Sequence, residues 1–298
     1  MRILTVDIGG TAVKSAVFDE HGECVAAFDA QPTAIVDGDN AIVAQVVALC
    51  QSAQAQFALD GVAISSAGVV DPLAGTIVFA GPTIPNYGGT HWKSAIAAAC
   101  QLPCTVENDV NAMALAEGWL GAAQGCHSAL CLTLGTGLGG ALLMDGRLWH
   151  GSTFTAGEIG YIPLPDGRRL EEGASTTALL AYYEQRCGER IDGKTLFARL
   201  RAGDVHADAA LTHMIDVLAD GLLPAIYVFA PERIIVGGGI AAQREIIEPR
   251  LQQTLLRRLP SARFAPKMVR CATLGNRAGM IGALRWFLDS SLSIQETS

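Results

Sequence analysis

With 298 residues, half of them hydrophobic, the chain is too long for one small core and fits two ordinary domains or one large α/β domain. A formal net charge of −8 argues against nucleic acid or an anionic membrane as a partner, since both reward a basic patch and the densest basic groups are the isolated pairs Arg168-Arg169 and Arg257-Arg258. Its eight cysteines stand without a C-x-x-C pair, which fits small buried residues in a reducing compartment better than a zinc site or a disulfide framework.

Met1 to Val6 is too short an apolar run for a signal-peptide core, and no run of about 18 apolar residues is present to cross a bilayer, so the cytoplasm is the expected compartment. Ile3–Val6, Val13–Phe18 and Cys24–Phe28 read as three strands joined by the turns Gly9-Gly10 and Glu20-His21-Gly22, an antiparallel meander. Ile42, Val43, Val46, Val47, Cys50, Ala53 and Phe57 recur at helical spacing, and Val62–Ser65 follows as a buried strand. The Gly- and Pro-rich connection from Ala67 to Gly89 carries interleaved Val, Ile, Phe and Tyr, the mark of a ligand-facing loop rather than a disordered one. A helix over Trp92–Cys100 leads to strand Cys104–Val106 and a second helix around Ala112–Leu120. Ala129–Leu134, a Gly-Thr-Gly turn and Gly140–Met144 then repeat the opening hairpin about 125 residues on, which predicts two related lobes. Helices are expected at Ser175–Cys187, Thr195–Arg201 and Asp208–Val228, the last kinked or cut short at Pro224. A strand Arg233–Val236 runs into Gly237-Gly238-Gly239 and a helix from Arg244 to Leu256; a strand Met268–Ala272 and a helix Met280–Leu288 close the pattern, and the tail from Ser290 to Ser298 is expected to fray.

Between the two glycine turns lies Glu107-Asn108-Asp109, at a strand-to-helix junction. Asp109 suits an N-cap, whose side chain satisfies free helix N–H groups, so on these residues alone a cap explains it. Gly135, Gly137 and Gly140 satisfy G-x-G-x-x-G, but a dinucleotide fold needs a helix after that turn and a second strand is expected instead; no Walker loop is present. Each hairpin turn can present backbone N–H groups to an anion, with Thr11 and Thr136 adding hydroxyls. Asp7, at the end of an apolar strand, calls for a partner: either it shapes the turn, or it meets a magnesium ion beside phosphate, directly or through water.

Together these residues resemble the sugar kinases of the actin and hexokinase superfamily, and more narrowly the ROK family (repressors, open reading frames, kinases), over almost the whole chain. Asp7-Ile8-Gly9-Gly10-Thr11 resembles the first phosphate motif, Leu134 to Gly140 with Gly135, Thr136 and Gly137 the second, and Ile235-Val236-Gly237-Gly238-Gly239 the adenosine motif, while Glu107-Asn108-Asp109 falls where the family carries its catalytic Asp. The resemblance implies an α/β, actin-like (ribonuclease H-like) ATPase fold of two lobes, each a mixed sheet flanked by helices. The small lobe is expected over 1–108 with the terminal helix 280–298, the large lobe over 109–279. It implies ATP with Mg2+, Asp7 facing the metal, and Asp109 as general base on a sugar hydroxyl, with sugar contacts from Gly68, Asn86, Asn108, Asp109, Glu158, Tyr161 and Glu171. Two departures stand out. The family's Glu-x-Gly-His reads Glu158-Ile159-Gly160-Tyr161, and Asp166-Gly167-Arg168-Arg169-Leu170 replaces its cysteine cluster, so no structural zinc is expected. Zinc-free members include kinases resembling β-glucoside and N-acetylmannosamine kinases; the loop Gly81 to Gly89 resembles that of the members assigned to the amino sugar, so the resemblance implies N-acetylmannosamine ahead of glucose or a β-glucoside, and phosphorylation at the 6-hydroxyl.

Small-molecule sugar and ATP are therefore the expected partners, with no nucleic acid and no membrane; a homodimer is what the family suggests. Family repressors carry a helix-turn-helix before the first phosphate motif, for which the few residues ahead of Asp7 leave no room. A sugar-binding regulator without catalysis and an NAD-binding oxidoreductase are the readings from other classes.

Overall fold

The structure, a computed structural model, describes residues 1–81 and 83–295. Pro82, in the long loop, and residues 296–298, the end of the tail, lie outside the described residues. The chain forms two compact units, the first built from Met1–Trp119, His150–Thr155 and Asn276–Ser298, the second from Leu120–Trp149 and Ala156–Gly275.

Unit 1 opens with β1 (Arg2–Ile8), β2 (Ala12–Asp19), β3 (Cys24–Ala27) and the short β4 (Gln31–Pro32), β5 (Ile35–Val36) and β6 (Asp39–Asn40). Helix α1 (Ile42–Gln54) buries Ile42, Val46, Cys50 and Ala53, the stripe its spacing predicts. After β7 (Gly61–Ser66), the Gly- and Pro-rich stretch, whose composition predicts a loop, folds β8 (Val69–Asp71) and β9 (Thr76–Phe79) into an antiparallel hairpin. Then come α2 (Trp92–Cys100), β10 (Cys104–Asn108) and α3 (Asp109–Leu120). The sheet order is β10-β7-β1-β2-β3, antiparallel at β1/β2 and parallel at β1/β7 and β7/β10.

Unit 2 repeats the plan with β11 (Ser128–Leu134), β12 (Leu138–Met144) and β13 (Arg147–Leu148), helices α4 (Thr176–Cys187), α5 (Gly193–Arg201) and α6 (Val205–Phe229), then β14 (Arg233–Gly237), α7 (Arg244–Arg258) and β15 (Met268–Cys271). Its order, β13-β12-β11-β14-β15, again sets an antiparallel hairpin partner on one side of the central strand and two parallel strands on the other. Helix α6 runs through Pro224 to Phe229 rather than stopping there. Proline removes one helical hydrogen bond, but buried Leu218, Leu222 and Ile226 on either side hold the helix to the core.

The last helix, α8 (Ala278–Gln295), returns to unit 1, so the tail expected to fray from Ser290 is helical as far as Gln295. It crosses α3 with almost no clearance, since a Cβ on Gly282 would stand 1.6 Å from the carbonyl oxygen of Ala112. Over-packing a rigid backbone contact of this kind forces the elements apart. Gly282→Ala is expected to cost about 3 kcal/mol, read as a lowered denaturation midpoint.

Candidate active site

Sequence reading made Asp109 the cap of α3; the structure gives that role to its neighbour. Asn108 Oδ1 accepts from the backbone N–H of Val110 at 2.9 Å and of Asn111 at 3.0 Å, and α3 starts at Asp109. An amide reaches the free N–H groups as well as a carboxylate does, so Asp109 is not needed for capping. Asp109 Oδ1 accepts from Asn108 Nδ2 at 3.0 Å and from Val110 N at 2.9 Å, and the same Asn108 Nδ2 donates to the carbonyl of Gly68 at 2.9 Å. Gly68, Asn108 and Asp109, three of the expected sugar contacts, are thereby tied into one half-buried corner. The negative charge sits in the first turn, where the helix dipole favours it.

Asn86 lies in the loop beside this corner in a left-handed conformation, φ 50°, which asparagine tolerates better than most residues. Its side chain donates to Asp39 Oδ1 at 3.1 Å, and Asn40 Nδ2 holds the carbonyls of Pro85 and Asn86. Tyr87 anchors the loop from inside: it is 1% exposed, its hydroxyl is 2.7 Å from Ser66 Oγ, and it accepts from Trp92 Nε1. Burial pushes the Tyr87 phenol up to about 12, and the nearby charge of Asp109 adds a smaller push in the same direction.

At the first glycine turn, Gly9 N donates to Ala12 O, while Thr33 secures the turn through its hydroxyl on Gly9 O and its N–H on Thr11 O. Gly9 and Gly10 are half-buried and Thr11 is exposed. Asp7 has the partners its position demands: Ser65 Oγ donates to Oδ1 at 2.8 Å, and Lys14 Nζ lies 3.4 Å from Oδ2. Sequence reading missed Lys14, although the register of the β1/β2 hairpin sets it directly opposite Asp7.

In unit 2, Gly135 N donates to Gly137 O across the second turn and Thr136 is exposed. The segment carrying Glu158 lies on β12 by backbone contact, with Gly157 against Gly140 and Gly160 against the carbonyl of Leu138, where a Cβ would come within 2.2 Å. Glu171 Oε2 reaches the same turn, 2.9 Å from where a Cβ on Gly137 would stand. Glu158 and Glu171 are thus neighbours: burial, and then the charge of Glu171, hold the Glu158 carboxyl above its usual range. Arg169 Nη1 pairs with Glu171 Oε1 at 3.2 Å and its guanidinium stands 5.4 Å from the ring centre of exposed Tyr161. The adenosine motif abuts the phosphate turn, because Gly238, at φ 83°, would drive any Cβ to 2.2 Å from Leu134 O. Beside it Gly239, Ile240, Gln243, Thr176, Gly193, Lys194 and Phe197 line a cavity of about 230 Å³.

The ROK family model matches residues 3–290. The chain belongs to the ROK family. It is 33% identical over 299 residues to the β-glucoside kinase of Listeria monocytogenes, covering 97% of this chain and 98% of that one. It is 30% identical over 305 residues to the glucokinase of Streptomyces coelicolor, covering 93% and 95%. The ROK glucokinase of Streptomyces griseus in complex with glucose and AMPPNP superposes with a TM-score of 0.82 at 30% identity, covering 95% of this chain and 98% of that one. The two mixed sheets flanked by helices are the actin-like fold of ROK kinases.

In this ROK chain the cavity residues Thr176, Lys194, Phe197 and Gln243 escaped the sequence reading, since the first three come from helices separated from the glycine motifs by tens of residues and Gln243, four residues after Gly239, carries no motif of its own; Thr176, one place after the Ser175 N-cap of α4, gave the one local signal. No cluster of three or more His, Cys, Asp or Glu side chains that could hold a metal occurs among the described residues. Asp7 nevertheless suits magnesium, a hard cation that needs only one or two carboxylates when phosphates and water complete its shell.

Two outcomes follow from unit 2. Because the folded chain holds the Glu158 proton more tightly than the unfolded one, ionising Glu158 costs stability as pH rises above 4.5 and through its raised value. Glu158→Gln is therefore expected to melt higher than the parent at pH 8, with the gain vanishing near pH 4.5, in thermal melts across that range; a gain that grows on acidification would contradict the burial. With Tyr161 and Arg169 in place of a histidine and cysteines, metal analysis of the purified ROK chain is expected to find no stoichiometric zinc.

Proposed function

We propose that this ROK protein is an ATP-dependent sugar kinase that phosphorylates the 6-hydroxyl of a hexose or N-acyl hexosamine, with Asp109 as general base. The observation that carries this reading is the Asn108–Asp109 junction: Asn108 takes over the capping of α3, and the Asp109 carboxylate is held at a fixed helix start beside Gly68. A base must be positioned before its pKa matters. Asp109 accepts the proton of the attacking hydroxyl while the sugar oxygen bonds to the γ-phosphorus and the bond to the bridging oxygen of ADP breaks, so the proton moves to the carboxylate and the negative charge leaves on ADP.

Each remaining motif has a part in that reaction. For the phosphates the candidates are the N–H group of Gly10, the hydroxyl of Thr11 and the ammonium of Lys14 on a turn that Gly9 closes through Ala12, and Thr136 and Gly137 on a turn that Gly135 closes. Gly237, Gly238 and Gly239, with the cavity beside them, suit the adenosine. A magnesium ion bound with ATP would offset phosphate charge, and Asp7 is the carboxylate to meet it, directly or through water. For the sugar, Gly68, Asn86, Asn108, Glu158, Tyr161 and Glu171 are the proposed contacts; carboxylates and amides suit vicinal hydroxyls because each can bridge two. The Listeria relative's name points to a β-glucoside, the Streptomyces structure holds glucose, and the loop Gly81 to Gly89 favours N-acetylmannosamine.

Asp109→Asn is expected to lower turnover by roughly 10² to 10⁴ while sugar binding survives, measured by coupled ADP release and calorimetry; a variant near the parent rate would remove Asp109 as the base. The same ADP assay over glucose, N-acetylmannosamine and a β-glucoside is expected to show one sugar preferred, and ADP release independent of every sugar would favour a regulator over a kinase.

A further inference from the structure

Glu107 is a carboxylate two residues from the candidate base that the reaction above does not use. It is wholly buried, and every oxygen is engaged: Oε1 accepts from Asn108 N at 2.8 Å and from Asn111 Nδ2 at 2.9 Å, and Oε2 lies 2.7 Å from His150 Nε2. A carboxylate oxygen accepts, so Nε2 is the ring nitrogen that carries the proton here. His150 opens the six-residue segment His150–Thr155 that belongs to unit 1 although the chain on both sides belongs to unit 2. Its ring packs edge-on against Trp286 of α8 at 5.4 Å and Phe154 at 6.3 Å, and its side chain is 17% exposed. The imidazole is thus fixed in angle by two aromatics and joined by its proton to a carboxylate that holds Asn108, next to Asp109, and Asn111, in the first turn of α3.

We infer that His150 is a positioning residue for the phosphoryl transfer, acting through Glu107 to fix the Asn108–Asp109 corner. The inference rests on the reading of Asp109 as the base. A buried polar pair is weak evidence for stability in itself, since an apolar pair of equal volume often serves as well; what an apolar pair cannot do is hold the Asn108 N–H and the Asn111 amide. Fixing a reacting group to a fraction of an ångström is worth up to about two orders of magnitude in rate, which is where the effect of His150 should appear.

The test compares His150→Leu, His150→Gln and His150→Asn with the parent, alone and in the Asp109→Asn background, by steady-state kinetics with ATP and the preferred sugar. Gln sets an N–H donor near the place of Nε2; Asn is too short to reach Glu107; Leu fills the space without a donor. His150→Leu is expected to lose roughly 10- to 100-fold in kcat with KM for ATP within about two-fold of the parent, and His150→Gln to recover most of the loss. Adding His150→Leu to Asp109→Asn is expected to cost nothing further, because both act on one group. If His150→Leu fails to fold, the order Gln above Asn in kcat carries the test. Parent-like kcat in all three variants, equal losses in Gln and Asn, or an additive double variant would overturn the inference. An Asp109→Asn chain that keeps the parent rate would instead overturn the reading on which it rests.

Discussion

A carboxylate that water cannot reach has to be met by donors, and Glu107 imposes that demand on the middle of unit 1. Its two oxygens draw together the end of β10, the first turn of α3 and the segment His150–Thr155, whose imidazole in turn packs on α8. Leaving such a group unpaired would cost several kcal/mol, so the three donors are obligatory rather than decorative. Once they are in place, Asn108 has little freedom: its amide oxygen faces the helix N–H groups and its amide nitrogen faces Gly68 and Asp109. The corner where chemistry is proposed is therefore held by groups that the proposed reaction does not use.

The two units show how one hairpin plan can be divided between charge and backbone. In unit 1 the central hairpin sets Asp7 opposite Lys14; at the matching level of the second hairpin stand Thr133 and Gly139. One copy carries a cation and an anion at its turn, and the other carries neither. The second turn is instead crowded by backbone, with Gly238 on Leu134, Gly160 on Leu138 and Gly157 on Gly140, which brings the adenosine motif and both glutamates to it. A turn proposed to meet a metal and phosphates benefits from formal charge, whereas one that orders neighbouring loops benefits from close approach.

The strands and helices with simple periodicity were legible from residues alone. The spacing over Trp92–Cys100 predicts α2 at its observed limits, and the recurrence of strand, glycine turn and strand predicts the second hairpin. What was hidden depended on partners distant in sequence. The β8/β9 hairpin lies inside a run of Gly and Pro that reads as loop, and its pairing is stabilised by buried Val70 and Ile77, one from each strand. Pro224 predicts a break that burial on both sides of it overrides. Asn108 rather than Asp109 caps α3 because the choice between two adjacent capping side chains is made by Gly68 and Glu107, forty residues upstream and next door. Lys14 was one cross-strand pairing away from recognition. The cavity residues from α4 and α5 could not be placed without knowing how those helices pack on the glycine motif.

Helix α8 belongs to unit 1 yet follows the whole of unit 2 in the chain. It packs on β7, β1 and β10 and supplies Ile281, Leu284 and Phe287 to the interior. During synthesis the second unit has therefore emerged in full before the first can bury its own sheet. The usual order of domain completion, N-terminal first, is reversed here. Until Gly282 settles against Ala112, the face of the sheet behind Asp7 remains open, so the nascent chain has unit 2 complete while unit 1 is still unfinished.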